Sequence, residues 1–416
     1  MSLFHKPGAR VAFGAVAGLA ALGLVIGGGT LAASAANDPG SNSRPNYVAV
    51  GSDTLQDLYG AFASSTTPNY HIDSYTAFAS ENITVDGVSI SRPAGSGDGV
   101  KALSASLNPA SNKFNSATHS VLGDQYLRQG ADAPVQIARS SSRPASGFTF
   151  ATGDLAYIPL GRDAVSVAIR NVPGVTNLTT AQLFAIYSSG SYDNAPTGLS
   201  DGDVQLSSGV VQLRVAGAWV SLTPKLPQSA SGTRAFFLSA TGVSTIGAWV
   251  TQGATIAEND GAQLTATGQL IPFSAAQWVA QWNNVATRTF TPFSSPINLI
   301  SINSSAAYNL TGGAGTPANP GTASAGALYG SGSTAPTPGV GTFARDVYSV
   351  VGKASVRGNN ATTHAFEANA TATPLATLVT TTLPAASQVA QYGFLPLSYS
   401  ATTANWLYGP YTNPAL

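Results

Sequence analysis

The chain has no cysteine, a single methionine and few charges, since only 9% of its 416 residues are Asp, Glu, Lys or Arg. The lack of cysteine excludes disulfides, thiolate metal sites and a lipid attached to an N-terminal cysteine. The 18 basic residues balance the 18 acidic ones, and the sequence has no basic run that would attract nucleic acid. Such a protein has to rely on its apolar core for stability.

Signatures of catalysis and of nucleotide binding are missing as well. The sequence has no Gly-x-Ser-x-Gly elbow and no Gly-Lys-Thr phosphate loop. The four histidines are scattered, and neither a histidine nor a pair of carboxylates is placed to activate a nucleophile. We therefore expect a binding protein rather than an enzyme, with no metal, no cofactor and no nucleic-acid partner.

The N-terminus has the three parts of an export signal. Lys6 and Arg10 precede an apolar stretch at 11–29, and Ala33 and Ala35 match a signal-peptidase site with cleavage after Ala35. The alternative is an uncleaved membrane anchor, because the stretch is nearly long enough to span a bilayer. We expect a signal peptide at 1–35, and an extracellular or periplasmic protein without a lipid anchor. Residues 36–44 have the composition of a flexible spacer.

The remainder of the chain is predicted to fold. Hydrophobic residues make up 44% of the sequence, and aromatic and β-branched residues occur throughout. The clearest strand is predicted at 163–170, where Val165, Val167 and Ile169 lie on one face. Because strand-like runs alternate with helix-like apolar spacing, the sequence predicts α/β architecture.

Four short loops combine glycine with hydroxyl residues, most of them ahead of a helix-like pattern. They lie at 51–54, 95–99, 138–144 and 229–234. A helix N-terminus exposes unpaired N–H groups and the positive end of the helix dipole, and small side chains let an oxyanion approach the backbone. Ser, Thr and Gly also cap helices for structural reasons, so one such loop is a weak signal. Four of them predict convergence on one small anion.

Together these segments resemble the phosphate-binding proteins of ABC uptake systems, a branch of the type 2 periplasmic binding proteins. The resemblance includes the Gly-Ser loop at 51–54, the Ser-Gly loop with its lysine at 96–101 and the Ser loop ending in proline at 140–144. It also includes the Leu-Thr-x-x-Gln-Leu pattern at 178–183 and the Ser-Gly-Thr loop before an aromatic helix at 231–237. These segments extend over nearly the whole mature chain.

The resemblance implies a two-lobe fold with hinge crossover strands and a ligand held between the lobes. Lobe 1 is expected at 45–160 and 295–416, and lobe 2 at 161–294. The implied ligand is inorganic phosphate or a related oxyanion, which a monomeric receptor delivers to an ABC permease. The ligand contacts that the resemblance carries over are Ser52, Asp53, Thr54, Ser96, Gly97, Ser140, Ser141, Arg143, Ser231, Gly232 and Thr233.

Two features of that family are missing here. The arginine that usually precedes the Ser-Gly-Thr loop is absent from 227–230, and the loop that usually carries a carboxylate has Ser142 and Arg143 instead. Asp53 and Asp98 are then the candidate acceptors of a ligand proton, and Arg139 and Arg143 are the candidate cations. The alternative function is a secreted surface or matrix protein with the same fold and no transport role.

Overall fold

A computed structural model describes the part of the chain that follows the predicted signal peptide, with several gaps. The predicted signal peptide and most of the predicted spacer lie outside the described residues, which are 38–39, 46–77, 82–85, 88–107, 135–195, 198–291, 296–313, 316, 318–356 and 374–412.

Strands and helices alternate along these residues, as the sequence predicts. The strands are β1 (Tyr47–Gly51), β2 (Ile72–Ser74), β3 (Ile83–Val85), β4 (Val88–Ile90), β5 (Ile137–Ser140), β6 (Leu155–Arg170), β7 (Asn177–Leu178), β8 (Val204–Ser207), β9 (Val210–Val215), β10 (Ala218–Ser221), β11 (Thr223–Leu226), β12 (Thr251–Gln252), β13 (Gln269–Ser274), β14 (Ile297–Leu299), β15 (Ser301–Ile302), β16 (Tyr308–Thr311), β17 (Thr322–Ala325), β18 (Ala344–Gly352) and β19 (Leu407–Gly409). The helices are α1 (Gln56–Ser64), α2 (Ser96–Leu107), α3 (Thr180–Phe184), α4 (Gly232–Thr241), α5 (Ala275–Trp282), α6 (Lys353–Val356), α7 (Pro374–Thr377) and α8 (Ser387–Gln391).

One large sheet runs through both lobes in the order β12-β11-β13-β6-β18-β5-β1-β2, with β14 and β19 also paired to β6. Strand β6 is 16 residues long and almost entirely buried. Its first part pairs with β18 and β19 in lobe 1, and its last part pairs with β13 and β14 in lobe 2. The crossover predicted at 163–170 is thus a strand, and it starts further upstream than the sequence pattern indicates.

Each lobe buries apolar side chains on both faces of its part of this sheet. In lobe 1, Phe62 and Phe394 belong to one core cluster, and Leu103 belongs to the cluster on the other face. In lobe 2, Phe237 and Trp278 occupy the two corresponding clusters. Since a sheet covered on both faces needs nearly continuous apolar strands, this packing explains the unbroken apolar run within β6.

Part of the segment expected in lobe 1 packs with lobe 2. The predicted boundary assigns 295–416 to lobe 1, but Leu299, Ala323 and Tyr329 pack in the cluster around Trp278. The sequence around them is rich in Gly, Ala, Ser, Thr and Pro and resembles a surface excursion. A few apolar side chains nevertheless pack against helix α5. They lie on the β16–β17 hairpin and on the turn after it.

Two reciprocal salt bridges join the strands that cross between the lobes. In the antiparallel pairing of β6 with β18, Asp163 lies opposite Arg345 and Arg162 lies opposite Asp346. Their ion pairs measure 2.8 Å and 2.9 Å. Because successive residues of a strand point to opposite faces, the two bridges lie on opposite sides of the sheet.

None of the helices in the described ranges is both long and apolar enough to cross a bilayer.

Candidate functional site

The candidate site begins where strands β1 and β5 end. These strands are parallel neighbours with Gly51 opposite Arg139, so the residues that follow them, Ser52 and Ser141, lie side by side. The Ser52 hydroxyl donates to Ser141 Oγ at 3.2 Å. In open α/β sheets the carboxyl ends of parallel strands are the usual place for a ligand.

Helix α2 adds a third hydroxyl to this pair. Ser96 Oγ lies 3.1 Å from Ser141 Oγ and accepts a hydrogen bond from Ser141 N at 3.0 Å. A Cβ on Gly99 would lie 2.6 Å from Gly51 Cα, so only glycine lets α2 approach β1 this closely. Three buried hydroxyls from three separate loops therefore meet, as the loop pattern predicts.

Gly232, at the first residue of α4 in lobe 2, faces this hydroxyl cluster. A Cβ built on Gly232 would collide with Ser141 Oγ, and it would lie 2.8 Å from Ser96 Oγ and 2.9 Å from Ser142 Oγ. The missing side chain leaves the hydroxyls of lobe 1 against bare backbone of lobe 2. A small oxyanion bound here would contact both lobes.

A second hydroxyl pair and an arginine continue the site. Thr54 Oγ1 lies 3.4 Å from Thr233 Oγ1, one from each lobe. Arg345 Nη2 donates to Thr233 Oγ1 at 2.9 Å and to Thr54 Oγ1 at 3.4 Å. Arg345 comes from strand β18, and none of the four predicted loops contains it.

The position of Arg345 is set by Asp163. Arg345 Nε and Nη2 both donate to Asp163 Oδ2, at 3.1 Å and 2.8 Å. The other carboxylate oxygen, Oδ1, accepts from Ser274 Oγ at 2.9 Å and from Ala276 N at 3.0 Å, at the start of helix α5. Fixed in this way, the guanidinium loses little freedom when it binds an anion.

One nitrogen of Arg345 is unused. The side chain is only 3% exposed, and Nη1 has no hydrogen-bond partner among the described residues. A buried charged donor without a partner is costly and rare in folded proteins. The simplest explanation is an acceptor that binds from outside the chain.

Asn259 connects the lobes beside this arginine. Its Nδ2 donates to Asp53 Oδ2 at 3.0 Å in lobe 1, and its Oδ1 accepts from Ser274 N at 2.9 Å in lobe 2. Asn259 has a left-handed backbone (φ 58°), which asparagine tolerates better than most residues. Burial, together with the nearby charge of Glu258, raises the pKa of Asp53 well above its usual value.

Some of the hydrogen-bond donors of the Ser-Gly-Thr loop are already used within the chain. Ser231 caps α4 by accepting from Arg234 N at 3.0 Å, and its hydroxyl donates to Glu258 Oε2. Thr233 N donates to the same oxygen at 3.1 Å. The hydroxyl of Ser231 is thus used within the chain, whereas Gly232 and the hydroxyl of Thr233 face the other donors of the site.

Arg139 lies beneath the site, under the end of β1. It donates to Ser74 Oγ at 2.6 Å and to the carbonyls of Tyr75 and Gly51 at 2.7 Å and 3.1 Å. Burial lowers the pKa of Arg139 to about 10. These bonds to backbone and hydroxyl oxygens hold the strand end that presents Ser52.

Several residues that were predicted as ligand contacts or as proton acceptors lie away from the hydroxyls around Gly232. Gly97 is exposed, and Ser140 uses its hydroxyl locally, with Ser142. Arg143 is exposed, and its charge acts on Asp346, on the opposite side of the sheet. Burial raises the pKa of Asp346, and the charge of Arg143 opposes that rise. Asp98 is buried and lies 3.6 Å from Lys101.

Three residues of the convergence were not predicted from the sequence, namely Arg345, Glu258 and Asn259. A signal for the first was present, because the dipeptide Arg-Asp interrupts two long apolar runs at 162–163 and 345–346. In a chain with so few charges, two such dipeptides inside apolar runs indicate buried partners. For Glu258 and Asn259 the surrounding sequence has no comparable motif.

Metal binding has no obvious location in the same region. Among the residues that the structure describes, no group of three or more His, Asp or Glu side chains is placed to hold a metal ion.

Comparison with known proteins identifies similar structures but no similar sequences. No protein-family model matches the chain, and no curated protein matches it. An ABC-type phosphate transport receptor from Vibrio cholerae is 13% identical, with a TM-score of 0.40, and the match covers 84% of this chain and 99% of that one. The phosphate-binding protein from Stenotrophomonas maltophilia is 13% identical, with a TM-score of 0.41 and coverage of 89% and 98%.

A third similar structure is the high-affinity periplasmic phosphate-binding protein PfluDING, solved with phosphate bound. It is 14% identical, with a TM-score of 0.46 and coverage of 86% of this chain and 92% of that one. The two-lobe α/β fold predicted for this chain is the fold that its own coordinates show. Its ligand has to be argued from its own residues.

Proposed function

We propose that the protein is a solute-binding protein that holds inorganic phosphate in the cleft between its lobes. The observation that supports this best is the group of hydroxyls and one arginine gathered around Gly232. Its members come from both lobes, and they are Ser52, Thr54, Ser96, Ser141, Thr233 and Arg345. Hydroxyls and a guanidinium are donors suited to a small oxyanion.

The unused Nη1 of Arg345 supports an anion rather than a neutral ligand. Hydrogen bonds between a guanidinium and an oxyanion are about twice as strong as neutral ones. The side chains of this group are buried, so the charge of an anion would be screened little by solvent there. The hydroxyls come from several separate loops, which suits a small anion with several acceptor oxygens.

The acids beside the donors favour phosphate over sulfate. Asp53 and Glu258 both flank the site, and only Asp163 is paired with Arg345. At neutral pH phosphate still carries at least one proton, which a carboxylate can accept, whereas sulfate carries none. A fully deprotonated anion would face unpaired carboxylates, and an unpaired buried charge costs on the order of several kcal/mol.

Calorimetric titration of the full mature chain with phosphate and with sulfate tests this function. The matched pair of variants is Gly232→Ala and Gly97→Ala. The first puts a methyl group among the hydroxyls, and the second places one where nothing lies within 4 Å. We expect Gly232→Ala to weaken phosphate binding by about 100-fold or more, the equivalent of about 2.7 kcal/mol.

The control Gly97→Ala should retain the affinity and stabilise the chain by up to about 1 kcal/mol, because alanine suits a helix better than glycine. If the unaltered chain does not bind phosphate, the function is refuted. Equal affinities in the two variants would place the ligand away from Gly232.

The same proposal includes export by the signal peptide at 1–35 and delivery of the ligand to an ABC permease. N-terminal sequencing of the exported protein should begin at Ala36. A membrane-bound chain that still contains Lys6 would contradict the cleavage.

A further inference from the structure

A cavity of about 510 Å³ lies beside helix α1, separate from the hydroxyls around Gly232. Its walls come from α1 and strand β2 in lobe 1 and from 285–287 in lobe 2, just after helix α5. None of the residues that we propose for phosphate is among the described residues of these walls. Pockets of this size commonly hold a small molecule, so the cavity is a candidate for a second ligand.

The cavity lies at an edge of the large sheet. Strand β2 is the last strand on that side in the described part of the chain, and its residues Ile72, Asp73 and Ser74 all line the cavity. Successive residues of a strand point to opposite faces, so a cavity that all three reach extends around the edge of the strand. A ligand there can contact Asp73 as well as the residues of α1.

Asp57 and Asp73 are the only charged residues among the described residues of the walls. Asp73 is 7% exposed, and the Asn46 amide donates to its Oδ1 at 2.9 Å. Its Oδ2 has no hydrogen-bond partner among the described residues. Because a buried carboxylate oxygen rarely lacks a donor, this one can receive a donor from a ligand of the cavity.

The second carboxylate, Asp57, lies on α1. Burial raises its pKa, and a hydrogen bond from Gln277 and the charge of Arg139 oppose that rise. Tyr392 also lines the cavity, and burial together with the charge of Asp57 raises the pKa of Tyr392, so this ring lies near the carboxylate. An aromatic ring beside a carboxylate suits an ammonium group.

Gly60 keeps part of the cavity open. It lies in the middle of α1 and lines the cavity, and a Cβ built on it would meet nothing within 4 Å. Glycine inside a helix costs stability relative to alanine, and here neither a positive φ nor close packing requires it. The space beside Gly60 is room that a ligand can fill.

We propose that the cavity binds a linear diamine, with one ammonium group at Asp57 and the other at Asp73. The two ammonium groups balance the two carboxylates, and the methylenes between them lie against apolar wall residues such as Ala61 and Val285. A metal ion fits less well, because no third acid or histidine of the described residues is placed to complete its coordination. The diamine is a second ligand, so this site goes beyond the proposed function.

The test is calorimetric titration of the full mature chain with putrescine, a four-carbon diamine, in the absence of phosphate. We expect putrescine to bind, and butylamine, which has one ammonium group, to bind at least about tenfold more weakly. Asp57→Asn and Asp73→Asn should each weaken putrescine binding by about tenfold or more, because each leaves one ammonium group unpaired. Asp193→Asn is the matched control, since it removes an exposed carboxylate of lobe 2, and its affinity should stay within about twofold of the unaltered chain.

Gly60→Leu tests the cavity without removing a charge. Leucine fills the open space and suits a helix better than glycine, so the variant should unfold at the same temperature or a higher one. Its putrescine affinity should nevertheless fall by about tenfold or more. An unchanged affinity in this variant would place the diamine outside the cavity and overturn the proposal.

The proposal is also wrong if the unaltered chain does not bind putrescine. Equal losses in Asp57→Asn and Asp193→Asn would show a general attraction of diamines to surface carboxylates. Magnesium that binds more tightly than putrescine, and that is lost in Asp57→Asn and Asp73→Asn, would show a metal site instead. Since these titrations contain no phosphate, a failure of phosphate to bind would refute the proposed function and leave this result unchanged.

Discussion

The two Arg-Asp bridges between β6 and β18 have the same composition but different surroundings. On one side of the sheet, Arg162 donates from Nε to Asp346, and its other nitrogens donate to the carbonyls of Ser331 and Thr334 and to Tyr399 Oη. Every nitrogen of this guanidinium has a partner. The hydroxyl of Tyr399 in turn donates to Asp346 Oδ2 at 2.6 Å.

On the other side, Arg345 has the same kind of partner, Asp163, yet it retains a buried nitrogen for which the described residues offer no acceptor. The sheet thus presents a closed polar network on one face and an open one on the other. Because a buried charged donor is rarely left without a partner, the open network lies on the face where we propose that the ligand binds.

The largest effect is expected from the closed network around Arg162. Arg162→Ala leaves Asp346 buried without its cation, and breaking a buried ion pair in this way costs about 3–5 kcal/mol. We expect a loss of this size in the free energy of unfolding, measured by urea denaturation. Phosphate affinity of the folded protein should change by less than about threefold, because Arg162 lies on the opposite face.

Arg214→Ala is the control, since Arg214 pairs at 4.0 Å with Asp201, which is 58% exposed. An exposed pair contributes about 1 kcal/mol at most. Similar losses in the two variants would show that the Arg162 network is no more than a surface contact.

The second prediction concerns Arg345, in the open network on the other face. Arg345→Gln removes the spare donor and the charge, and a hydrogen bond to a charged group contributes about 1.5–3 kcal/mol. We expect phosphate affinity to fall by about 30-fold to 100-fold in calorimetric titration. Asp163 retains Ser274 Oγ and Ala276 N as donors, so the variant should still fold.

Arg170→Gln is the matched control, because Arg170 lies at the far end of β6 and donates to the carbonyl of Leu264. Its phosphate affinity should stay within about twofold of the unaltered chain. A loss of less than about threefold in Arg345→Gln would mean that Nη1 does not reach the ligand.

The smallest effect concerns the acids of the open face. Because burial and the charge of Glu258 raise the pKa of Asp53, the folded state holds its proton more tightly than the unfolded state. The stability that results is present at low pH and is lost as the pH rises through the raised pKa. Between about pH 4 and pH 8, Asp53→Asn should therefore lose less free energy of unfolding than the unaltered chain, by an amount on the order of 1 kcal/mol.

Asp203→Asn provides a control of opposite sign. Backbone hydrogen bonds from Ser200 and Asn194 lower the pKa of Asp203, so its contribution is present above the usual aspartate range and lost as the pH falls. Urea denaturation at several pH values should therefore show Asp203→Asn less stable than the unaltered chain at neutral pH. Parallel pH curves for Asp53→Asn and the unaltered chain would contradict the raised pKa of Asp53.

Local patterns in the sequence anticipate much of the fold and most of the residues of the site. The Leu-Thr-x-x-Gln-Leu pattern at 178–183 begins a helix with a capping box at Thr179 and Gln182, and Gly190 ends the turn that follows it in a left-handed conformation. The hydroxyl loops are also local, because small residues next to a helix start are required in the sequence itself. Ser52, Ser96, Ser141 and Gly232 were all found in this way. Their role as ligand contacts remains a prediction.

The sequence alone determined which loops could approach an anion, since that depends on glycine, on hydroxyls and on helix starts a few residues apart. Only the tertiary structure decided which residues from other segments lie beside these loops. Arg345 lies 291 positions from Thr54 along the chain, and Glu258 lies 25 positions from Thr233. The place of Arg345 depends on which strands pair and in which register, and strand pairing between distant segments leaves no short motif. For the same reason no local pattern distinguishes Arg345 from Arg162, because the difference lies in which loops pack over each face of one sheet.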